Sequence, residues 1–279
     1  MTEPSRITQH YEQAAPSLVE RLRAALAAAG FDDSHPPRPG DLAPLDQFHS
    51  RGLDATRELA DILEIDGRRR VLDIGSGLGG PSRYLASTFG CQVEGVDLSS
   101  SYVEAARFLA EQTGLGDRTH YRQGNALALP FEDGAFDVAW TQHVAMNIAD
   151  RDTLYREAHR VLRPAGRFAI FDVVAMSDEP LHYPVPWAAD AGSSFLVTPE
   201  RMREVLEAQG FIVESWVDSS EAALTWFEAR AKRQAQQAGP PPLGLHLVMG
   251  PGFREMTGNL ARNLREGRAG LIQAVLRKA

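Results

Sequence analysis

The sequence predicts an α/β protein with a doubly wound sheet of seven strands. From residue 70 onwards, short apolar runs alternate with stretches that have helical periodicity. A glycine-rich turn follows the first short run, and the fifth run, 166–174, has a nearly all-apolar core. Such a core is typical of a strand buried on both faces, as in parallel sheets. We therefore expect parallel strands that are joined by right-handed helical crossovers.

The first 66 residues are predicted to form an N-terminal helical cap in front of the sheet. Apolar side chains recur at helical spacing over residues 17–29 and again over about 52–64. Between these two helices, residues 32–45 carry four prolines and are expected to be a loop.

The rest of the chain is expected to divide into a core of residues 67–218, a helical lid insertion of 219–268 and a final core strand within 269–279. The predicted strands are 70–74, 92–97, 119–123, 136–141, 166–174, 211–217 and 270–277. Helices are expected up to residue 89 and over 99–113, 152–162, 198–210, 221–237 and 253–266. The helical insertion thus precedes the last strand.

Composition excludes several classes of function. The chain has 279 residues, a net charge of −8 and a single cysteine. Its acidity and its scattered arginines argue against a nucleic-acid ligand. Cys91 has no partner for an intramolecular disulfide, and no His and carboxylate cluster has the spacing of a metal site. Because no apolar run is long enough for a bilayer and no secretory signal pattern is visible, we expect a soluble, cytoplasmic protein.

The strongest functional signal is the glycine-rich turn that spans residues 73–80. Gly75, Gly77 and Gly80 match the dinucleotide fingerprint, in which Asp97 would bind the ribose. However, Asp73 would repel a pyrophosphate at this helix N-terminus, whereas it would attract a ligand with an amino and a sulfonium group. These residues favour S-adenosylmethionine and assign Asp97 to both ribose hydroxyls.

Several segments resemble motifs of the class I S-adenosylmethionine-dependent methyltransferases, over about residues 70–216. They are 71–81, 96–99, 124–131, 136–138 and 160–167. The resemblance implies a Rossmann-like fold and S-adenosyl-L-methionine as the cofactor. It places Leu98 beside the adenine, and Asn125 and Ala126 at the adenine's edge, although the family usually has Asp at the Asn125 position. The full expected cofactor-binding set is Asp73, Gly75, Ser76, Gly77, Asp97, Leu98, Asn125, Ala126 and Gln142.

The wider resemblance is to small-molecule methyltransferases of the sarcosine/dimethylglycine and ubiquinone/menaquinone type. Residues 263–270 look like the end of the sarcosine/dimethylglycine group. The match to that group is loose elsewhere, so its substrate is not carried over. Residues 46–52 lie where such enzymes often close over the methionine end of the cofactor, and simple capping of a surface loop is the alternative.

Candidate residues for the methyl acceptor follow from the predicted sheet, because α/β proteins bind ligands at the carboxyl ends of strands. His143 follows the fourth strand and is predicted to act as a general base or to orient the substrate. The alternative is a histidine that only packs against the cofactor. Further candidates for acceptor binding are Tyr11, His182, Tyr183, Trp187 and His246. Trp226 has helical spacing and is expected in the core rather than in the site.

The sequence therefore predicts methyl transfer to a small, partly apolar metabolite by in-line displacement, with a nitrogen or oxygen acceptor favoured. The alternatives are C-methylation on the same scaffold, an NAD-linked oxidoreductase that uses Gly75, Gly77 and Gly80, and a binding module that holds the cofactor without catalysis. Lysine is limited to Lys232 and Lys278, which weighs against the oxidoreductase. The expected partner is a small-molecule methyl acceptor, with no nucleic acid, membrane insertion or metal, and a homodimer is compatible with the sequence.

Overall fold

The structure is a computed structural model that describes residues 18–236, 239, 241–250 and 252–279. Three helices precede the sheet: α1 (Leu18–Ala28), α2 (Pro39–Asp46) and α3 (Leu53–Asp61). The strands are β1 (Arg70–Ile74), β2 (Gln92–Asp97), β3 (Thr119–Gln123), β4 (Phe136–Gln142), β5 (Leu162–Ala175), β6 (Phe211–Asp218) and β7 (Ala269–Lys278). The other helices are α4 (Gly80–Phe89), α5 (Ser100–Gln112), α6 (Arg151–Val161), α7 (Pro199–Ala208), α8 (Ser220–Ala235), α9 (His246–Met249) and α10 (Phe253–Arg265).

The seven strands form one sheet in the order β3-β2-β1-β4-β5-β7-β6. Neighbouring residues of each central strand enter different core clusters: Val71 packs in one cluster and Leu72 in another. Alternation of this kind is expected of strands that are buried on both faces. The predicted seven strands and the doubly wound arrangement are confirmed.

Parallel pairing, expected of the doubly wound sheet, is found for β1–β2, β1–β4, β2–β3 and β4–β5 but does not extend to β7, which runs antiparallel to both β5 and β6. The reason lies in the insertion. Strand β6 ends at Asp218, which pairs with Ile272 near the start of β7, and Ala269 pairs with Ala175 at the end of β5. The helices α8–α10 thus begin and end at the same edge of the sheet, so β7 must run back in the opposite direction.

The predicted loop at residues 32–45 is also wrong in part, because α2 covers Pro39–Asp46. Pro39 lies in the first turn of this helix, where the missing N–H has no intrahelical partner to lose. The carboxylate of Asp41 accepts a hydrogen bond of 2.8 Å from the Arg38 N–H and thereby caps the helix. Leu42 and Leu45 of α2 then pack with Leu22 of α1 in a core cluster that α5 completes.

In the described part of the chain, no helix is long and apolar enough to cross a membrane. Among the same residues, no group of three or more His, Cys, Asp or Glu side chains is arranged to hold a metal ion.

Candidate functional site

The glycine-rich turn joins β1 to α4 and brings its backbone close to two other segments. Gly75 has a φ angle of 73°, and a Cβ atom there would overlap the side chain of Val144, in the loop after β4. At Gly80, a Cβ atom would overlap the backbone oxygen of Asp46, at the end of α2. Glycine is therefore required here for both conformation and space. The turn lies between the cap and the carboxyl end of β4.

Asp73 is a buried carboxyl group near the end of β1, with a side chain that is only 2% exposed. One of its oxygens accepts a hydrogen bond of 2.5 Å from the Ser82 hydroxyl. Burial raises the pKa of Asp73 to about 7; the Ser82 hydrogen bond opposes this, and the neighbouring carboxylate of Asp97 adds to it. A cationic ligand group beside Asp73 would favour the carboxylate and lower this pKa.

Asp97 ends β2 and is fixed by two backbone groups. One oxygen accepts a hydrogen bond of 2.8 Å from the Gly77 N–H, and the other accepts one of 2.9 Å from the Ser99 N–H. Burial raises the pKa of Asp97, while these backbone hydrogen bonds lower it. Each carboxylate oxygen retains a further lone pair, so the group can accept two more hydrogen bonds from a ligand.

Asn125 follows β3 and has an orientation that is set by a local hydrogen bond. Its Oδ1 atom accepts a bond of 2.9 Å from the Leu127 N–H. The amide oxygen therefore points to that N–H, and its second lone pair remains available. Ala126 and Leu98 line the same cavity as Asn125, which is described below.

A buried polar network connects the cap to the end of β4. Oε1 of Gln142 accepts hydrogen bonds from Nε1 of Trp140, at 3.0 Å, and from the Thr56 hydroxyl, at 3.2 Å. The same hydroxyl lies 2.7 Å from Oε1 of Gln47 and 3.1 Å from Nε2 of His49. Nε2 of Gln142 is buried and has no hydrogen-bond partner among the described residues.

Sequence patterns predict only two parts of this network, Gln142 and the segment 46–52. Thr56 has the periodicity of an ordinary helix residue, and its partner Gln142 is 86 residues away, so no local pattern marks it. Gln47 and His49 belong to the segment 46–52, which the sequence does single out as a possible cover of the cofactor.

His143 has a strained backbone, with a φ angle of 54°, and its N–H donates a hydrogen bond of 2.7 Å to the Phe171 carbonyl. Its ring centroid lies 5.0 Å from that of Phe171 and 6.0 Å from that of His49. Burial, and then the nearby His49, hold the pKa of His143 well below its usual value. Nε2 is buried without a hydrogen-bond partner among the described residues. The imidazole is therefore neutral at physiological pH and presents a free nitrogen.

A single cavity at the carboxyl edge of the sheet brings the predicted cofactor-binding residues together with His143. Its wall includes Asp73, Gly75, Ser76, Gly77, Asp97, Leu98, Asn125, Ala126, Gln142 and His143. The remaining wall is largely apolar and includes Phe48, Val144, Met146, Ile148, Pro186 and Met249. We refer to it as the donor cavity.

The described residues predicted for acceptor binding do not line the donor cavity. Trp187 is 1% exposed, and its Nε1 donates to the Ser194 hydroxyl at 2.9 Å, so it belongs to the core. His182 lies 2.7 Å from Glu266 through its Nε2 atom, and Tyr183 packs against the core cluster below α10. His246 lines a second cavity beside the insertion, together with Trp226, which the sequence placed in the core. Tyr11 lies outside the described residues.

A buried ion pair joins the cap to the glycine-rich turn. A guanidinium nitrogen of Arg83 in α4 lies 2.6 Å from the carboxylate of Asp46, and both side chains are at most 1% exposed. Arg83 also donates to the Leu78 carbonyl at 2.7 Å. Burial raises the pKa of Asp46 to about 6, although the charge of Arg83 opposes this shift. The cap thus forms a fixed wall of the donor cavity.

Comparison with known proteins agrees with this geometry. A family described as "Methyltransferase domain" matches residues 72–170. The 27-O-demethylrifamycin SV methyltransferase of Amycolatopsis mediterranei (strain S699) is 33% identical over 221 residues, which cover 79% of this chain and 72% of that protein. Methyltransferase GfsG of Streptomyces halstedii is 34% identical over 168 residues, which cover 60% of this chain and 58% of that protein. This chain spans only 28% and 21% of two further curated relatives.

The fold also matches solved structures. The geranyl diphosphate C-methyltransferase from Streptomyces coelicolor A3(2), solved with Mg2+, geranyl-S-thiolodiphosphate and S-adenosyl-L-homocysteine, has a TM-score of 0.72. The alignment covers 100% of this chain and 99% of that chain at 18% identity, which shows a shared fold alone. By their names, the relatives include O-, N- and C-methyltransferases. This chain belongs to the class I S-adenosylmethionine-dependent methyltransferases, and its cofactor is S-adenosyl-L-methionine.

Proposed function

We propose that this enzyme transfers a methyl group to a small, partly apolar metabolite by in-line displacement, with a nitrogen or oxygen atom as the acceptor. The observation that carries the proposal is the donor cavity, which is lined by Asp73, Asp97 and the neutral imidazole of His143. Family membership removes the oxidoreductase alternative.

The residues of the donor cavity fit the cofactor that the family uses. S-adenosylmethionine supplies a methyl group that is activated on a sulfonium centre. Asp97 has two spare lone pairs, which suit the two hydroxyls of a ribose. Ser76 Oγ and Gln142 Nε2 are buried polar atoms without partners among the described residues, so a polar ligand would satisfy them.

The remaining cofactor contacts follow from charge and shape. Asp73 is a buried carboxyl group whose proton a cationic ligand would displace, which suits the amino group of the methionine moiety. Leu98 and Ala126 offer an apolar surface to the adenine, and Asn125 offers the free lone pair of its amide oxygen to the adenine's amino group. These roles agree with the family resemblance.

The environment of His143 favours a nitrogen or oxygen acceptor. Its lowered pKa keeps the imidazole neutral, and in the tautomer with the proton on Nδ1, Nε2 can accept a hydrogen bond from an acceptor N–H or O–H and orient it. A neutral amine needs no strong base, and a phenol needs only a modest one. A carbon acid asks for a stronger base than a histidine with so low a pKa.

Apolar side chains near His143 support a partly apolar acceptor. Val144, Met146, Ile148, Pro186 and Met249 line the same donor cavity as His143. Such a wall gives binding energy through burial of apolar ligand surface, at about 25 cal/mol per Å2.

Calorimetric titration with S-adenosylhomocysteine tests the cofactor site. We expect binding by the wild-type enzyme and a loss of about 10–100-fold in affinity for Asp97→Ala, because two charge-assisted hydrogen bonds disappear. Absence of binding by the wild type, or an unchanged affinity of the variant, would overturn the proposed roles.

Methyl transfer from isotopically labelled S-adenosylmethionine to a panel of amines, phenols and enolisable carbon acids tests the acceptor class. We expect labelled products from amines or phenols of apolar character. Products from the carbon acids alone would replace the proposal with C-methylation.

A further inference from the structure

A second cavity, of about 1100 Å3, lies between the cap and the insertion. Its apolar wall contains Leu53 from α3, Trp226 from α8, Leu247 from α9 and Phe253 from α10. We refer to it as the cap cavity. None of the residues assigned to cofactor binding lines it.

The cap cavity concentrates positive charge in an otherwise acidic protein. The net charge of the chain is −8. Nevertheless, the described residues that line the cap cavity include five arginines and one carboxylate, Asp54. The arginines are Arg21, Arg51, Arg230, Arg233 and Arg254. Asp54 is exposed and lies 3.5 Å from Arg57, so it does not compensate the cluster.

Most of these arginines lack a protein anion as a partner among the described residues. Arg51 is the exception, since it forms an ion pair with Glu58. Nε and Nη2 of Arg21 are buried and have no hydrogen-bond partner in the described part of the chain. Leaving donors of a charged group buried and unpaired costs free energy, so such a group is suited to a ligand that accepts from it.

Among the described residues, Arg230 contacts two aromatic rings and forms no ion pair with a carboxylate. Its guanidinium carbon lies 5.2 Å from the centroid of the Trp226 indole and 5.6 Å from that of the Phe253 ring. Burial, and then the positive charge of Arg233, lower the pKa of Arg230. Desolvation and a neighbouring positive charge both disfavour the charged form of Arg230, and a bound anion would offset them. No hydrogen bond from the guanidinium of Arg230 to another described residue is found, so its N–H groups can bind an oxyanion in a bidentate manner.

The cap cavity adjoins the donor cavity along two shared segments. Asp46, Phe48 and His49 line the donor cavity, whereas Gln47 lines the cap cavity. In the same way, Met249 lines the donor cavity and its neighbour Gly250 lines the cap cavity. The wall between the cavities is therefore only one residue thick in places, so the cap cavity lies directly beside the donor cavity.

We propose that the cap cavity binds the anionic end of the methyl acceptor, a carboxylate or phosphate attached to an apolar body. The guanidinium groups of Arg21, Arg230 and Arg254 bind the oxyanion, and Trp226, Leu247 and Phe253 bury the apolar body. The proposal rests on the proposed methyl transfer and extends it, since it names the charge that selects the acceptor.

Ligand binding is best tested with probes that share one apolar chain and differ in the head group. The probes are decyl phosphate, decanoate, decan-1-ol and decylammonium, titrated calorimetrically into the full chain saturated with S-adenosylhomocysteine. We expect the two anions to bind at least about tenfold more tightly than the alcohol and the cation, as charge-assisted hydrogen bonds imply. In Arg230→Gln/Arg254→Gln, this preference should fall to about twofold or less, with affinity for decan-1-ol unchanged.

The matched control is Arg201→Gln/Arg203→Gln, which removes the same charge from exposed positions of α7 that pair with Glu204 and Glu207. It should retain the preference for anions. Tighter binding of decyl phosphate than of decanoate assigns a phosphate, and the reverse order assigns a carboxylate; either supports the proposal. Equal binding of alcohol and anions by the wild type, or an equal loss in the control, overturns it.

The titrations separate this inference from the proposed function. A failure of S-adenosylhomocysteine to bind would count against the methyl-transfer roles, while the same probes, titrated without it, still report on the cap cavity. Methyl transfer to neutral acceptors, combined with no preference for anions, would overturn the cap-cavity proposal alone.

Discussion

The donor cavity and the cap cavity lie side by side but are built in opposite ways. In the donor cavity, Asp97 is fixed by the N–H groups of Gly77 and Ser99, which are 20 and 2 residues away along the chain. In the cap cavity, Arg21 comes from α1 and Arg230 from α8, which are about 200 residues apart along the chain. One site depends on local turns and strand ends, and the other depends on how distant helices pack. We therefore expect substitutions in the two cavities to affect ligand binding and stability to different extents.

The largest expected effect is at the Asp46–Arg83 pair, which joins the cap to the helix that follows the glycine-rich turn. Asp46→Ala would leave the Arg83 guanidinium buried without its carboxylate, and only the Leu78 and Ala106 carbonyls would remain as partners. Breaking a buried pair in this way costs about 3–5 kcal/mol. Urea unfolding should show a loss of that size.

Two variants control this measurement. Asp54→Ala removes an exposed carboxylate of α3 that lies 3.5 Å from Arg57, and it should cost less than about 1 kcal/mol. Asp46→Leu/Arg83→Met removes both buried charges and should recover most of the stability. Equal losses for Asp46→Ala and Asp54→Ala would show that the buried pair does not hold the cap to the turn.

The next effect concerns His143, which should affect turnover rather than folding. Asn tolerates a left-handed backbone better than most residues, so His143→Asn removes the imidazole with little strain at a φ angle of 54°. With a phenolic acceptor we expect kcat to fall about 100-fold, and with an amine acceptor by less than about tenfold, because a neutral amine needs no base.

The affinity of His143→Asn for S-adenosylhomocysteine and its unfolding midpoint serve as controls. Both should stay close to the wild-type values. An equal loss of kcat for the two acceptor classes would instead assign His143 a purely structural position beside Phe171 and His49.

The contrast between the cavities also explains what the sequence could predict. The turn at 73–80 and the strand ends at Asp97 and His143 carry chemical residues at fixed positions in a periodic pattern, and the structure brings them to one cavity. The sequence pattern did not separate the two tryptophans correctly: Trp187 is buried in the core, and Trp226 lines the cap cavity. Periodicity reports which face of a helix is apolar, not whether another helix covers that face. The sequence pattern does not predict the antiparallel direction of β7, because that direction depends on where the insertion ends in space.

A smaller effect is expected from pH, and it belongs to the donor cavity alone. Burial raises the pKa of Asp73 to about 7, and binding of an ammonium group requires the carboxylate. The cofactor-bound state therefore has the lower pKa, so affinity is full above pH 7 and weakens as the pH falls through that value. Between pH 8 and pH 6, we expect about a tenfold loss of affinity for S-adenosylhomocysteine.

Asp73→Asn should bind more weakly at pH 8 and should lose most of this pH dependence. Asp97 and Asp46 also have raised pKa values, and both remain in the variant, so any pH dependence that persists belongs to them. A wild-type affinity that is constant from pH 6 to pH 8 would contradict the role of Asp73.

The smallest effect is predicted at Asn125, where the family usually has an aspartate. The amide oxygen already accepts the Leu127 N–H, and a carboxylate can keep that bond and accept from the adenine amino group with a full charge. Against this gain stands the repulsion of a fourth carboxylate in a cavity whose wall already includes Asp46, Asp73 and Asp97. We expect Asn125→Asp to bind S-adenosylhomocysteine about two- to fivefold more tightly, a change of about 0.5–1 kcal/mol. S-inosylhomocysteine, which presents a carbonyl oxygen in place of that amino group, should instead bind the variant more weakly than it binds the wild type. Opposite shifts for the two ligands would locate Asn125 at the adenine edge, whereas parallel shifts would mean that the substitution acts through the charge of the cavity and not through a direct contact.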